Sequence, residues 1–268
     1  MATVGRLVLF TIFLLVTREA AAQEELKQLQ SSNYGKIQTL HHDSVFGDSV
    51  SPIGALSIRH SDIVLSGTGP VIEVSRRFEY QARMSNVWNR QQAFADWTFE
   101  LPRLVVQLPY RVENNVLVPR WEVRGANPQA RCSSFGPPPD YRTLEGAHSA
   151  DKFWYGVNLD IPGQGSQRVL IRSPNYAIGA KPEYRLATNG NWLLTCLPGT
   201  KNGAPGEGFL ALSPDGEKYW FDWLVALPDG QMNLGNETQT VAEISLAVTR
   251  VEDRFGNYVD YNYAPDNT

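Results

Sequence analysis

Two cysteines, three methionines and four histidines among 268 residues leave few soft ligands and few redox groups. Cys132 and Cys196 stand far apart, and His41, His42, His60 and His148 show no ligand spacing, which argues against a zinc site. Charge is scarce as well: 19% of residues are charged and the formal net charge is −4. That is too little positive charge for a nucleic-acid surface, and too little of either sign for a disordered chain. The motifs G-x-S-x-G and H-E-x-x-H and a phosphate-binding glycine loop do not occur, so the enzyme classes they mark are not indicated. No cofactor is expected. Sustained helical periodicity is missing beyond the first residues.

Long apolar runs are confined to LVLFTIFLLV, Leu7 to Val16. Arg6 precedes this run and EAAAQEE follows it, with Ala20 and Ala22 forming a small-residue A-x-A site. Residues 1–22 therefore read as a secretory signal peptide, with the mature chain exported from Gln23 onward to the periplasm, cell surface or medium. The run is too short to cross a bilayer comfortably, and no membrane span is expected in the mature chain. An uncleaved N-terminal anchor is the alternative, because Arg18 and Glu19 are unusual so close to a cleavage site. Export gives the cysteines a role: Cys132 and Cys196 can pair only with each other, closing a loop worth roughly 4 kcal/mol in denatured-state entropy. Two reduced, buried thiols are the other reading.

The chain is rich in turns and rings, with 22 Gly, 17 Pro, 7 Trp, 11 Tyr and 11 Phe. That composition suits short strands joined by tight turns. Residues 23–45 form a polar linker. ALSIRHSDIVL (55–65) and VIEVSRRF (71–78) alternate apolar and polar residues around SGTG, which predicts strand, turn, strand. DWTFEL (96–101) places Trp97, Phe99 and Leu101 on one face. NVLVPRWEVRG (115–125) predicts a strand pair or a strand bent at Pro119, and 126–150 a loop stiffened by three prolines. KFWYGVNL (152–159), RVLIRS (168–173) and GNWLLTC (190–196) follow as strands. GFLALSPDGEKYWFDWL (208–224) predicts a hairpin turning at Pro214-Asp215-Gly216, and LPDGQ (227–231) a second turn of the same kind. The expected fold is all-β: antiparallel hairpins in a sandwich or a shell-like domain.

Candidate chemistry is thin. Asp151, Asp160, Glu207, Glu217 and Asp222 sit among aromatics, and two carboxylates at suitable separation would serve a glycosidase. In YWFDW, Tyr219, Phe221 and Trp223 are expected on one, core-facing side, leaving Trp220 as an exposed platform for a cell-envelope glycan. Asn236-Glu237-Thr238 fits a glycosylation acceptor.

Several phrases, in order, resemble one family. FGDSVSPIGALSIRHSDIVLSGTGPVIEVSRRFEY (46–80) is similar to the opening segment of RHS/YD-repeat proteins, with DWTFELPRL, RCSS, NWLLTC and GEGFLALSPDGEKYWFD matching later landmarks. TRVEDRFGNYVDYNY (249–263) looks like a first YD repeat. The resemblance spans about residues 46–263. It implies a head region over 46–249 and a YD repeat over 250–268, in which Gly256 and Asn257 shape a turn, Tyr261 and Tyr263 pack the hairpin, and Asp253 completes the motif. It further implies a hollow shell of YD repeats downstream, often enclosing a toxin cargo. The chain reaches Thr268 before any such array, self-cleavage segment or toxin domain, so the expectation is a truncated copy or a separately encoded front piece. The expected function is a non-catalytic exported scaffold in cell-surface interaction or intercellular competition; a stand-alone glycan-binding module is the alternative, and a glycosidase or lyase the least favoured. A lone repeat leaves an uncovered edge holding Tyr258, Tyr261 and Tyr263, so residues 250–268 are expected to be far less protected from exchange than 208–224.

Overall fold

The computed structural model describes residues 48–50, 56–80, 97–113, 116–143, 146–173, 183–234 and 237–264. The chain divides into two units, 1–39 and 40–268, and every described residue belongs to the second. The proposed signal peptide and the whole of the linker, with His41, His42 and Asn236, lie outside the described residues. Among the described residues no helix is long and apolar enough to cross a membrane.

The fold is all-β and antiparallel. β1 (Asp48–Val50), β2 (Leu56–Leu65), β3 (Ile72–Tyr80) and β4 (Trp97–Glu100) form a four-stranded sheet in that order. β2 and β3 are the hairpin predicted around SGTG. A charge network ties its strands together. Arg59 donates from Nε to Glu100 Oε2 at 2.5 Å and from Nη2 to Glu73 Oε1 at 2.7 Å, and Arg77 also grips Glu100.

Two residues after β4 the chain enters the larger sheet as β5 (Arg103–Pro109). A small hairpin follows, β6 (Arg111–Glu113) with β7 (Val116–Val118). The strand thus stops before Pro119 instead of bending there, since proline cannot donate to a ladder. Trp121 and Val123 are buried without being strand. Within the long loop the short pair β8 (Tyr141–Arg142) and β9 (Ala147–His148) precedes a 3-10 turn at Ala150–Lys152. This turn takes in Lys152, the first residue of KFWYGVNL, and β10 begins later than predicted, at Asn158–Ile161. β11 (Gly165–Ile171), β12 (Leu186–Thr188), β13 (Leu193–Leu197) and β14 (Gly208–Leu212) continue the sheet, followed by two long strands, β15 (Lys218–Leu234) and β16 (Glu237–Glu252). β17 (Tyr258–Asp260) adds to the far part of β16.

The sheet closes. β16 pairs with β5 on one side and with β15 on the other, so β5 and β10 to β16 form a closed antiparallel barrel. The expected sandwich is therefore a sheet folded on itself, which removes the edges that an open sheet would present. Inward residues alternate along the strands: Leu104, Val106 and Leu108; Leu159 and Ile161; Phe209 and Ala211; Ala242, Ile244, Leu246 and Val248. The loop after β7 adds Trp121, Cys132, Tyr141 and Phe153 to this same core, with Trp121 stacked on Phe209 at 6.0 Å.

Candidate functional site

Three features collect the residues that sequence singled out. The first is the disulfide. Cys132 and Cys196 are bonded, with Cα atoms 5.5 Å apart. Cys196 is carried by β13 opposite Phe209, while Cys132 sits in the loop that packs on the core. Glu207, one of the candidate carboxylates, clasps this loop: its Oε2 accepts from the backbone N–H groups of Cys132 at 2.9 Å and Ser133 at 2.8 Å, and its Oε1 from Ser133 Oγ at 2.7 Å. Beside it lies Arg131, only 1% exposed. Its guanidinium covers the Trp121 ring at 5.7 Å and donates from Nη2 to Pro205 O, but Nε and Nη1 are buried with no acceptor. Burial lowers its pKa to about 10, with the Glu207 carboxylate opposing the shift. Sequence reasoning missed this residue; only a polar loop preceding Cys132 was visible. Cys132 Sγ, Cys196 Sγ and a Glu207 oxygen lie within 4.8 Å of one another, although with the bridge closed the sulfurs are not metal ligands.

The second feature is the aromatic strand. The register shifts on the two sides of Phe221 leave Thr249 of β16 and Asp222 of β15 as extra residues, Asp222 standing opposite neither Val248 nor Ala247. A bulge flips the alternation that follows it. Tyr219 and Phe221 pack with the core as expected, but Trp223 does not join them: it meets Tyr263 at 5.2 Å, while Leu224 takes the core side. Trp220 lies opposite Leu210 on one neighbour and Arg250 on the other, with Asp260 beyond, so these four share the outer face. Trp220 is half-buried.

The third is the YD-like phrase, which β16 carries without a break out of the barrel. Asp253 Oδ1 accepts from the backbone N–H of Phe255 at 2.8 Å and of Asn257 at 2.9 Å, and Oδ2 from Asn257 Nδ2 at 2.8 Å. These bonds, led by that of Asn257, hold the Asp253 carboxyl below its ordinary pKa. Gly256 has φ +89°, a conformation that only glycine takes freely. Tyr261 packs against the barrel core, and Tyr263 donates to Val248 O at 2.6 Å with its pKa raised by burial. The tyrosines expected on an uncovered edge are thus covered by the chain's own barrel, and only Tyr258 is exposed.

The SPDGE turn shares three of this phrase's bonds, though not those from Phe255 N–H and Asn257 Nδ2. Ser213 N–H donates to Glu217 O at 2.8 Å as Asp253 N–H does to Asn257 O at 2.9 Å. Gly216 N–H donates to Ser213 O at 3.1 Å as Gly256 N–H does to Asp253 O at 3.2 Å. Glu217 N–H is taken by Ser213 Oγ as Asn257 N–H is by Asp253 Oδ1, and Gly216 has φ +88°. Because Lys218 pairs with Glu252, the β14–β15 and β16–β17 hairpins stand side by side, and Lys218 Nζ reaches Glu252 Oε1 at 3.0 Å.

The remaining carboxylates are dispersed. Glu217 accepts from Tyr219 O–H at 2.8 Å, Asp222 from Thr249 O–H at 2.5 Å, and Asp160 faces Arg103 at 3.5 Å. Asp151 is exposed, its pKa lowered chiefly by a hydrogen bond from Ser149. No family model, curated protein or solved structure matches the chain.

Proposed function

We propose that the chain is a non-catalytic exported β-scaffold, the N-terminal part of an RHS/YD-repeat protein concerned with toxin encapsulation, cell-surface interaction or intercellular competition. The observation that carries this reading is the twin turn: SPDGE and DRFGN share one hydrogen-bond pattern in adjacent hairpins, the arrangement of a structural unit that repeats. Asp253, Gly256, Asn257, Tyr261 and Tyr263 act in turn geometry and hairpin packing, the roles the resemblance assigns. Glu207, Glu217 and Asp222 each accept hydrogen bonds within the framework, in keeping with a scaffold. Among the described residues β17 pairs only with β16, and its far side offers a template for a following YD hairpin. The disulfide fits an oxidising destination.

Two measurements test this. YD repeats are expected to be encoded with or directly after this chain, and purified protein is expected to leave a panel of polysaccharides and peptides uncleaved. Turnover abolished by Asp222→Asn or Glu217→Gln overturns the proposal. A second reading, a glycan-binding module, draws on the outer-face row of Leu210, Trp220, Arg250 and Asp260. A glycan array separates the two: binding above background that Trp220→Ala removes supports the module, and none eliminates it.

A further inference from the structure

The disulfide cluster has a geometry that a simple covalent staple does not require. We propose that opening the Cys132–Cys196 bridge creates a binding site for one soft divalent cation, ligated by the two thiolates and the Glu207 carboxylate. The reaction balances with a dithiol as reductant. The dithiol gives two electrons and two protons to the bridge, becoming a cyclic disulfide and leaving two protein thiols. The cation then displaces both thiol protons, which pass to solvent. Two sulfurs and one oxygen suit zinc-like ions, with the fourth tetrahedral position left to water.

The three donors already lie within 4.8 Å of one another, and each is held by something other than the bridge. Cys196 is fixed by the ladder between β13 and β14. Cys132 is fixed through its own N–H, which donates to Glu207. Glu207 is in turn oriented by Ser133, through both N–H and Oγ, as outer-shell groups orient the carboxylates of metal sites. Oε1 accepts one hydrogen bond in this clasp and retains a lone pair for a cation. Charge also balances: two thiolates, one carboxylate and a dication sum to −1, and the buried Arg131 next to Cys132 brings the cluster to zero. Its Nε and Nη1 are buried without acceptors, and Glu207 already acts on its charge. Cys196 is half-buried whereas Cys132 is 3% exposed, so the incoming thiolate attacks Cys196 Sγ and Cys132 leaves.

The test uses the full chain, reduced anaerobically with a dithiol, freed of reductant and titrated with Co2+. One Co2+ per chain is expected, with thiolate-to-cobalt charge-transfer absorption in the near-ultraviolet and the visible bands of a tetrahedral set. Zn2+ should displace it, and the oxidised protein should bind none. Ser133→Ala should weaken binding roughly 10–100-fold through the outer shell. Glu207→Gln should weaken it at least as much while the sulfur bands persist. Near-ultraviolet circular dichroism of the reduced, metal-free chain reports whether the fold survives. The proposal fails if the reduced wild type takes up no more Co2+ than the Cys132→Ser, Cys196→Ser double variant. It fails equally if reduction abolishes the dichroism, or if Glu207→Gln binds like wild type.

Discussion

SPDGE at 213–217 and LPDGQ at 227–231 share three consecutive letters and behave oppositely, whereas SPDGE and DRFGN share only glycine and behave alike. In the first, Ser213 Oγ accepts from Glu217 N–H and the chain reverses. In the second, Leu227 stands where Ser213 does and has no acceptor to offer. The chain runs on extended: Pro228 pairs with Ala242, Gly230 with Val241, and Asp229 becomes a bulge gripped by Gln107. In the third, Asp253 replaces Ser213 and supplies the acceptor again. The turn is set by a side-chain oxygen at its first position and glycine at its fourth, and the Pro-Asp between them is optional. A long partner strand decides the contrary case, because β16 offers its ladder on both sides of Asp229 and reversal there would forfeit those bonds.

The largest effect on this comparison should come from removing what both reversing hairpins rest on. Phe221 is fully buried, and Phe221→Ala is expected to cost about 3–5 kcal/mol in denaturant melts. It should loosen the SPDGE and DRFGN turns together; a variant that loosens only one would show that they do not share a support. Gly216→Ala and Gly256→Ala come next, at about 1–2 kcal/mol each for a non-glycine residue forced to positive φ. Near-equal losses would confirm that the turns are equivalent, and a twofold difference would break the equivalence. Tyr263→Phe removes one hydrogen bond, from its O–H to Val248 O, and should cost about 1 kcal/mol, destabilising the DRFGN hairpin but not SPDGE.

Acid should separate the turns with the smallest perturbation. Asp253 has a lowered pKa, so its contribution is complete above the ordinary Asp value of about 3.9 and is lost as pH falls through its lower folded value. Ser213 does not titrate. Amide exchange at Phe255 and Asn257 should therefore accelerate below about pH 4, beyond the intrinsic pH effect, while Glu217 N–H keeps its protection. Parallel behaviour at both turns would show that the Asp253 carboxylate is not what closes the second.

Much of this was legible in the sequence. Alternation gave the β2–β3 and β14–β15 hairpins, and export chemistry pointed to the Cys132–Cys196 pair. Where reading failed, the deciding partner was distant. Barrel closure depends on β16 meeting both β5 and β15, and no local pattern marks a strand that will be paired on two sides. The same pairing turned LPDGQ into a bulge and added the extra residue at Asp222 that sends Trp223 away from Phe221. Arg131 was invisible for a related reason: an arginine in a Pro- and Gly-rich loop reads as solvated, and only the folded loop puts it beneath Pro205 and over Trp121.

Asn257 Nδ2 also donates to Thr68 O, at 3.2 Å and 189 positions away, in the turn of the β2–β3 hairpin. Gly69 lies so near that a Cβ there would stand 3.0 Å from that of Asn257. As a ribosome delivers the chain, the β2–β3 hairpin emerges well before its seat at Asn257, which lies 189 positions beyond Thr68. The hairpin can thus form long before it can dock, and loop closure over such a span is slow. Ile63, Val64, Leu65 and Val71 stay exposed even with the hairpin docked, so docking fixes the turn without covering them. The interval between those two arrivals is when that turn is left unfixed.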